Sequence, residues 1–445
     1  MELSQTNYII DGDLAIDVLD KAKKLGASNA EVCLHTNSGF SLSVRQQNID
    51  TLEYHQEKNL EIIIYFGNCQ GRATSSDFSQ DSINQTIEKA SYIARFTEAD
   101  ACLGLADIDL MAFDYPELDL HHPWKTTIDE VIELAKNLEA SGLNHSKKIV
   151  TADGVFIDSL NGVNLYANTH GFVGTVNRTK HSVGCSFIAE DCNKKERDSY
   201  CRISRKIFPS YFDIDLAKEA AQRTVNRLGS RKLTTKKSPV IFFRDVAISI
   251  IKHFIFAIAG SNLYRKSSFL VNSLNKSIFP GFIDIIEDPF ILGGLGSTPF
   301  DGEGVKLSRN NLVIGGKLDR YLLDSYTARK LNLQTTGNSG GAHNLIVKSS
   351  SDSTLDNLIT EMGTGLMVTE LLGGDVNITT GNYSRGAFGY WVENGAIAYP
   401  VTGITIAGNL KDIFSNIIAI GNDLEYSSNI LVGSILVEEL AIAGS

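Results

Sequence analysis

Apolar residues recur along this chain with two different periods, and the periods change in blocks. From Asp13 to Leu25 they recur every three to four residues, which predicts an amphipathic helix that Gly26 ends. The passage that follows alternates apolar and polar residues in "FSLSVRQ" and "TLEYH", then becomes continuously apolar in "LEIIIYF". Alternation is typical of half-buried strands, and a short continuous run is typical of a buried strand. A second helix is predicted from about Ser79 to Arg95, after the "GNCQG" turn.

The same succession of patterns returns further along the chain. A capping box formed by Thr127 and Glu130 predicts the start of a helix. The segment "VFIDSLNGVNLYAN" is interpreted as two strands joined by an Asn161-Gly162 turn, and "GFVGTVNRTKHSVGCSFIAE" continues the sheet. A helix is then predicted from Ile214 to Leu228.

These two passages, about 27–97 and 151–229, each place several strands before a long helix and have a helix ahead of them. We interpret them as a degenerate internal duplication. The acidic, poorly periodic stretch 98–124 between them is interpreted as a surface crossover.

The pattern changes near Ser230, where glycine becomes frequent and long helical periodicity becomes rare. "LVIGGKL" and "GYWVENGAIAYPV" predict hairpins, and "STLDNLITEM" predicts a short helix. We therefore predict an α+β fold with two domains. Residues 1–229 form a duplicated strand-and-helix N-terminal half, and residues 230–445 form a mainly β C-terminal half with an embedded helix.

The embedded helix contains the segment "ISIIKHFIFAIAG", from Ile248 to Gly260, and raises a chemical question. Lys252 and His253 interrupt an otherwise apolar run. A charged or polar group is costly to bury unless it is paired or reaches a cleft. These two residues are therefore candidates for lining a cleft, and the alternative is that Lys252 extends to solvent while His253 is a hydrogen-bonded core histidine.

Two other short motifs carry candidate chemistry. "GNSGG" has the G-x-S-x-G spacing of a nucleophile elbow, with Ser339 as nucleophile and His343 four residues later. That elbow needs a helix after the serine, and "AHNLIVKSS" predicts a strand instead, which favours a plain glycine-rich turn. In "PFDGEG", Asp301 and Glu303 could hold a cation or act as an acid/base pair, although a polar loop with a glycine-enabled turn is favoured.

Composition narrows the class of protein and its location. The net charge of -11 argues against a nucleic acid as the main ligand. No apolar run reaches the ~20 residues that a membrane-spanning helix needs, and we expect no secretory leader. The six cysteines form no C-x-x-C pair, so reduced thiols in the cytoplasm are expected. No Walker A loop or strand–G-x-G-x-x-G–helix unit supports nucleotide binding.

The order of several motifs resembles a known family. They are "RKLTTKKSPVIF", "GSTPFDGEGV", "SYTARKLNLQTTGNSGG", "EMGTGLMVTELLGG", "TGNYSRGAFGYWVENGAIAYPVTGITIAGNLKDI" and "NILVGSILVEELAIAG". Together with the duplicated front half, they resemble the PmbA (TldE) branch of the TldD/PmbA family of peptidase-like proteins over the whole chain.

The resemblance implies a heterodimeric cytosolic peptidase. In its TldD subunit, H-E-x-x-x-H on this helix and a cysteine near the C-terminus hold zinc, and the glutamate acts as base. The matching positions here are Lys252, His253 and Ala257, and the last cysteine is Cys201. The resemblance therefore implies a non-catalytic subunit without a metal of its own, while the zinc belongs to a TldD-type partner.

The implied substrates are unfolded or extended peptides, with no nucleic acid and no membrane as partner, and the chain could form a homodimer when alone. An alternative is an independent metallo- or serine-type hydrolase that uses Asp301, Glu303, Ser339 and His343. A third possibility, a gyrase-modulating binding protein, gains no physical support from the acidic charge balance.

Overall fold

A computed structural model describes residues 12–207, 212–349 and 353–444, and its architecture is α+β, as predicted. The described strands form three sheets of six, five and six strands. The strands of the first sheet all come from residues 29–204, and those of the other two sheets lie beyond residue 235.

The first sheet is entirely antiparallel, with strand order β3-β2-β1-β4-β5-β6. Its strands are β1 (Asn29–Arg45), β2 (Asn48–Phe66), β3 (Cys69–Ser75), β4 (Ile149–Asn168), β5 (Val173–Asp191) and β6 (Lys194–Ser204). In the described part of the chain, four α-helices accompany them: α1 (Gly12–Lys24), α2 (Gln80–Phe96), α3 (Ile128–Leu143) and α4 (Ile214–Asn226).

The four helices cover one face of this sheet in two pairs. α1 and α2 pack over one end of β1, against Val32 and Leu34, and α3 and α4 pack over the other end, against Leu42 and Val44. These residues lie two apart, so they share a face of the strand. Each half of the sheet therefore has the order helix, three strands, helix. Whether the two halves superpose remains a prediction.

The predicted Asn161-Gly162 turn is wrong, because both residues lie within the single long strand β4. β4 pairs with β1 on one side and with β5 on the other, and Gly162 lies opposite both Asn37 and Arg178. A Cβ at Gly162 would lie 2.5 Å from the Asn37 Oδ1 atom. Here the glycine allows a close approach within the sheet, and it does not form a turn.

The interpretation of residues 98–124 as a surface crossover is also wrong in part. Leu105, Ala106, Met111, Leu118 and Leu120 are buried. Most of them pack on the sheet face opposite the four helices, where they join a cluster that includes Tyr166, Phe172, Val176 and Phe300. The segment therefore forms part of the layer between the first sheet and the rest of the molecule.

The remaining strands build the second and third sheets. They are β7 (Lys236–Phe242), β8 (Ile283–Asp288), β9 (Asn310–Ile314), β10 (Lys317–Leu318), β11 (Asn344–Ser349), β12 (Gly365–Val376), β13 (Asn382–Glu393), β14 (Ala396–Asn409), β15 (Ile417–Ile420), β16 (Ile430–Leu431) and β17 (Ile435–Ala443). The second sheet has the order β10-β9-β8-β11-β16, and the third has the order β14-β13-β12-β7-β17-β15. β14 also pairs with β17, which closes five strands of the third sheet into a ring.

Both predicted hairpins are confirmed in this part of the chain. The turn between β9 and β10 has positive φ at Gly315 and Gly316, and the turn between β13 and β14 has positive φ at Asn394 and Gly395. Two successive residues with positive φ define the type I′ turn that suits a two-residue hairpin.

Five further α-helices lie in the described residues: α5 (Arg244–Ala257), α6 (Gly260–Tyr264), α7 (Ser325–Lys330), α8 (Leu355–Met362) and α9 (Leu410–Ser415). α5 is the predicted embedded helix. Its residues Ala247, Ile250, Phe254 and Ala257 are fully buried and belong to a core cluster shared with the second and third sheets. Their spacing of three and four residues forms the buried stripe of the helix. In the described residues, no helix combines the length and the apolar character needed to span a membrane.

Candidate functional site

α5 presents Lys252 and His253 in different environments. The Lys252 side chain is exposed to solvent, as the alternative interpretation expected. The His253 ring is half-buried beside Tyr383, with ring centroids 5.9 Å apart and ring planes at 74°. Its Nε2 atom is buried and has no hydrogen-bond partner among the described residues, so His253 is not the hydrogen-bonded core histidine of that interpretation.

Burial determines the charge of this ring. Burial, together with a smaller contribution from the nearby positive charge of Arg385, lowers the pKa of His253 to about 4. The imidazole is therefore neutral at physiological pH. Tyr383 lies beside it with a hydroxyl that is also buried and unpartnered in the described structure.

The donor set on α5 does not fit a zinc ion. Ala257 is fully buried and has no metal-binding atom, and Lys252 offers an ammonium group. Nowhere in residues 12–207, 212–349 and 353–444 do three or more His, Cys, Asp or Glu side chains form a group that could hold a metal ion.

The two glycine-rich loops singled out in the sequence lie against each other. The Gly302 N–H donates to the Ser339 carbonyl over 2.8 Å, and the Ser339 N–H donates to Asp301 Oδ2 over 3.1 Å. Asp301 Oδ1 accepts from the N–H groups of Glu303 and Val305, each at 2.9 Å. The Asp301 carboxylate thus holds its own loop and the neighbouring one in place. Burial raises the pKa of Asp301 to about 6, although these hydrogen bonds oppose the shift.

Glu303 has a separate set of partners. Its Oε2 atom accepts from the Ser325 N–H over 3.1 Å and from the Ser325 hydroxyl over 2.6 Å. Burial, together with the negative charge of Asp301, raises the pKa of Glu303 to about 8. The two carboxyl groups influence each other electrostatically, but they share no hydrogen-bond partner in the described chain.

His343 has an acidic partner that the sequence did not indicate. Its Nδ1 atom lies 2.9 Å from Glu287 Oε1, and its backbone N–H donates to the same oxygen over 2.9 Å. Asn338 also donates to this oxygen, over 2.8 Å. Glu287 is only 2% exposed and lies in β8, which pairs with β11 directly after His343. The strand pairing brings these residues together across 56 positions, and no local motif marks it.

Ser339 and His343 lie in one loop but do not form a hydrogen-bonded pair among the described residues. The segment after them is the strand β11, as predicted, so the geometry of a nucleophile elbow is absent from this loop. The Ser339 backbone is used to join the two loops.

Asp301, Ser339 and His343 line one wall of a cavity of about 490 Å³. The opposite wall is the face of the first sheet that lacks helices, and it includes His35, Asn164 and Arg178. Sequence reasoning did not single out Arg178, because a lone arginine in an alternating strand looks like an ordinary surface residue. Three of the four alternative site residues are thus brought to one cavity, while Glu303 does not line it.

Comparisons with known proteins identify the family to which this chain belongs. Three family profiles match: PmbA/TldA metallopeptidase domain 1 at residues 30–94, the central domain at 121–228 and the C-terminal domain at 235–444. Metalloprotease PmbA from Escherichia coli O157:H7 is 44% identical over 94% of this chain and 93% of its own length. The chain belongs to the PmbA/TldD metallopeptidase family.

One further curated relative and two solved structures are similar to the chain. A Metalloprotease PmbA homolog from Haemophilus influenzae is 43% identical over 96% of this chain and 94% of its own length. A crystal structure of a candidate modulator of DNA gyrase from Bacteroides thetaiotaomicron matches with a TM-score of 0.91 at 25% identity, covering 97% of this chain and 98% of that one. TldE from Thermococcus kodakarensis shares the fold, with a TM-score of 0.85 at 18% identity over 97% of this chain and 100% of its own.

Residues from all three regions matched by the PmbA/TldA profiles line the cavity. His35 lies in the first matched region, Asn164 and Arg178 lie in the second, and the Asp301 and Ser339 loops lie in the third. α5 lies in the third matched region as well, within the core.

Proposed function

We propose that this chain is a non-catalytic, PmbA/TldE-like subunit that acts with a TldD-type zinc-binding chain on unfolded or extended peptides. The observation that carries the proposal is the side-chain set on α5. The helix has the position in the chain where the resemblance places H-E-x-x-x-H, but it carries Lys252, His253 and Ala257.

The chemistry of those three side chains supports the absence of a zinc site of its own. A zinc ligand must offer an unprotonated nitrogen, a thiolate or a carboxylate. Lys252 carries an exposed ammonium group, and the His253 ring is neutral but only half-exposed. The chain has no cysteine after Cys201 that could serve as the thiolate ligand near the C-terminus.

A subunit without a catalytic site can still contribute to peptide cleavage. It can supply cleft walls around the partner's zinc, and the exclusion of water strengthens the electrostatic interactions at the metal. The sheets of the C-terminal half also offer strand edges, to which an extended peptide can add as a further strand. We expect an interface with the partner that is large and apolar at its centre, as obligate pairs tend to have.

The test measures cleavage of an unfolded peptide by this chain alone, by a TldD-type chain from the same cells, and by their mixture. We expect no activity from this chain, weak activity from the other and full activity from the mixture. Elemental analysis of the tag-free chain should find no stoichiometric zinc. About one tightly held zinc per chain would contradict the proposal.

Two substitutions in the mixture separate the roles of the subunits. His253→Ala should leave the rate within about tenfold, a barrier change of ~1.4 kcal/mol, because His253 is not the base. Replacing the glutamate of the partner's zinc motif should abolish cleavage. If His253→Ala stops cleavage while the complex stays assembled and zinc-loaded, α5 takes part in the reaction and the assignment is wrong.

An independent hydrolase is the second candidate, and the His343–Glu287 contact of 2.9 Å favours it. A carboxylate that orients a histidine beside a serine is an arrangement found in serine hydrolases. The missing Ser339–His343 hydrogen bond counts against it. This candidate requires that the isolated chain cut peptides and that Ser339→Ala remove the activity, whereas the first proposal requires that the isolated chain be inactive.

A further inference from the structure

Arg178 is a largely buried cation whose charge no described residue balances. It lies in β5, mostly buried, and lines the cavity between the first sheet and the two glycine-rich loops. Its Nε atom is buried and has no hydrogen-bond partner, and no carboxylate in the described residues forms an ion pair with it. Burial lowers the pKa of Arg178, and no acidic group offsets that effect. A buried guanidinium is normally paired, because its desolvation is costly.

A buried arginine close to Arg178, Arg205, increases the positive charge near the cavity. The three guanidinium nitrogens of Arg205 donate to the carbonyl oxygens of Gly294, Thr179 and Leu295 over 2.8 to 3.0 Å. Those carbonyl oxygens carry no net charge, and Arg178 contributes to lowering the pKa of Arg205 to about 10. The pair therefore creates a local positive potential in a chain whose net charge is negative.

The acidic and imidazole groups near the cavity already have partners. Both oxygens of Asp301 accept backbone N–H groups of the loops, and His343 is held by Glu287. His35 has both ring nitrogens engaged, because Nε2 lies 2.6 Å from the Asn37 amide nitrogen and Nδ1 bonds Asn164 Oδ1. Among the described residues, Arg178 is thus the charged group on the cavity wall whose N–H groups have no acceptor and can donate to a ligand.

We propose that this cavity binds an organic carboxylate, with Arg178 as its counter-ion. A guanidinium matches a carboxylate in geometry, since two parallel N–H groups can donate to its two oxygens. One arginine balances the single charge of a carboxylate but leaves a phosphate dianion only partly neutralised. Val176, Phe300 and the ring of Tyr166 add apolar wall, and about 490 Å³ is within the range of small-molecule sites.

The carboxylate could belong to the C-terminus of a peptide or to a free organic acid, since both present the same group to Arg178. The proposal goes beyond the subunit role, because the cavity is built from this chain alone. It is therefore tested on the full-length isolated chain, and its outcome is independent of cleavage by the complex.

Calorimetric titration of the isolated chain tests the proposal with N-acetyl-phenylalanine, its C-terminal amide, inorganic phosphate, benzoate, and a hexapeptide ending in phenylalanine with a free carboxylate. We expect the acid to bind at least tenfold more tightly than either the amide or phosphate. Hexapeptide binding as tight as that of N-acetyl-phenylalanine identifies a peptide end as the source. Binding of N-acetyl-phenylalanine or benzoate without the hexapeptide identifies a free acid. Both outcomes support the carboxylate site.

Arg178→Gln should weaken binding of the acid at least tenfold. The matched control is Lys180→Gln, which removes one positive charge two residues along the same strand, where the side chain is exposed and outside the cavity lining. It should leave the affinity within twofold. In the unaltered chain, the Nε–H NMR signal of Arg178 should shift on addition of the acid, which tests the contact even if Arg178→Gln fails to fold. Equal binding of acid and amide, tighter binding of phosphate, or an unmoved arginine signal would overturn the proposal.

Discussion

At the scale of single residues, His253 has an environment that keeps it neutral. A ring with a pKa of about 4 is unprotonated at physiological pH, because burial disfavours the charged imidazolium form. In the unfolded chain the same ring titrates near pH 6.5. Because the folded-state pKa is depressed, the unfolded state binds more protons in this window, so acidification from about pH 6.5 to pH 4 reduces stability.

The first prediction is that NMR titration of the histidine signals gives His253 a pKa below about 5. The resonance is assigned by its loss in His253→Gln. That variant should also lose part of the acid-dependent fall in stability between about pH 6.5 and pH 4. A measured pKa at or above the ordinary value would mean that the ring has a charged partner or free access to water.

Glu303 provides the opposite case and the second prediction. Its folded-state pKa is raised to about 8, while an unfolded glutamate titrates near 4.5. The folded protein holds this proton more tightly, so the stabilisation is complete below about pH 4.5 and is lost as the pH rises towards 8. Glu303→Gln should therefore flatten the decline in unfolding free energy over this window, by at most about 1.4 kcal/mol per pH unit. Urea unfolding at several pH values measures it, and an unchanged slope would show that Glu303 does not hold this proton.

At the scale of elements, the helix α3 fastens the hairpin between β1 and β2. The fully buried carboxylate of Glu139 accepts from the backbone N–H groups of Gln46 and Gln47 over 2.7 and 2.6 Å. Both glutamines have positive φ, a conformation that costs energy in residues other than glycine. The Glu139 side chain of α3 thus stabilises the strained turn that joins β1 to β2.

The third prediction follows from those hydrogen bonds. Glu139→Ala leaves two backbone N–H groups without their acceptor, and each such loss costs about 1–3 kcal/mol. We expect urea unfolding to show a loss of about 2–4 kcal/mol. Glu133→Ala is the control on the same helix, because that side chain is 67% exposed, and it should change stability by less than about 0.5 kcal/mol. Equal effects of the two substitutions would show that the buried contact does not stabilise the hairpin.

Local sequence signals predicted the elements whose cause is local. The Thr127–Glu130 capping box does start α3, and the glycine and asparagine turns do join β9 to β10 and β13 to β14. The signal failed at Gly162, where an Asn-Gly pair lies in a strand that has neighbours on both sides. An Asn-Gly pair permits a tight turn but does not require one. Whether the pair forms a turn or lies in a strand depends on strand pairing with distant parts of the chain.

The candidate site residues also differ in whether a local signal or a long-range contact identifies them. The residues on α5 followed from one continuous segment and a family resemblance. The partnership of His343 with Glu287 and the isolation of Arg178 depend on contacts between elements far apart in sequence. A pattern of residue types gives the chemistry available to a site. It does not give the burial or the partners that determine how a particular side chain is charged.

At the scale of the whole molecule, the end of α4 is joined to the third sheet by Arg227. Its Nη1 atom lies 2.7 Å from Glu370 in β12 and 3.3 Å from Asp198 in β6. The guanidinium carbon lies 3.7 Å from the centre of the Phe388 ring in β13. The side chain is 8% exposed, so these contacts are largely shielded from water. A single cation therefore links the first sheet with the ring of strands in the C-terminal half.

The last prediction concerns this link. Arg227→Met retains most of the apolar stem but leaves Asp198, whose pKa burial already raises, without its cation. Removing one partner of a buried ion pair typically costs about 3–5 kcal/mol. The partial exposure of Glu370 should place the loss of unfolding free energy near about 3 kcal/mol. Lys237→Met breaks an exposed pair with Glu439 and should cost less than about 1 kcal/mol. Urea unfolding compares the two variants. Similar small losses would mean that this buried ion pair contributes no more to joining the two halves than an exposed pair does.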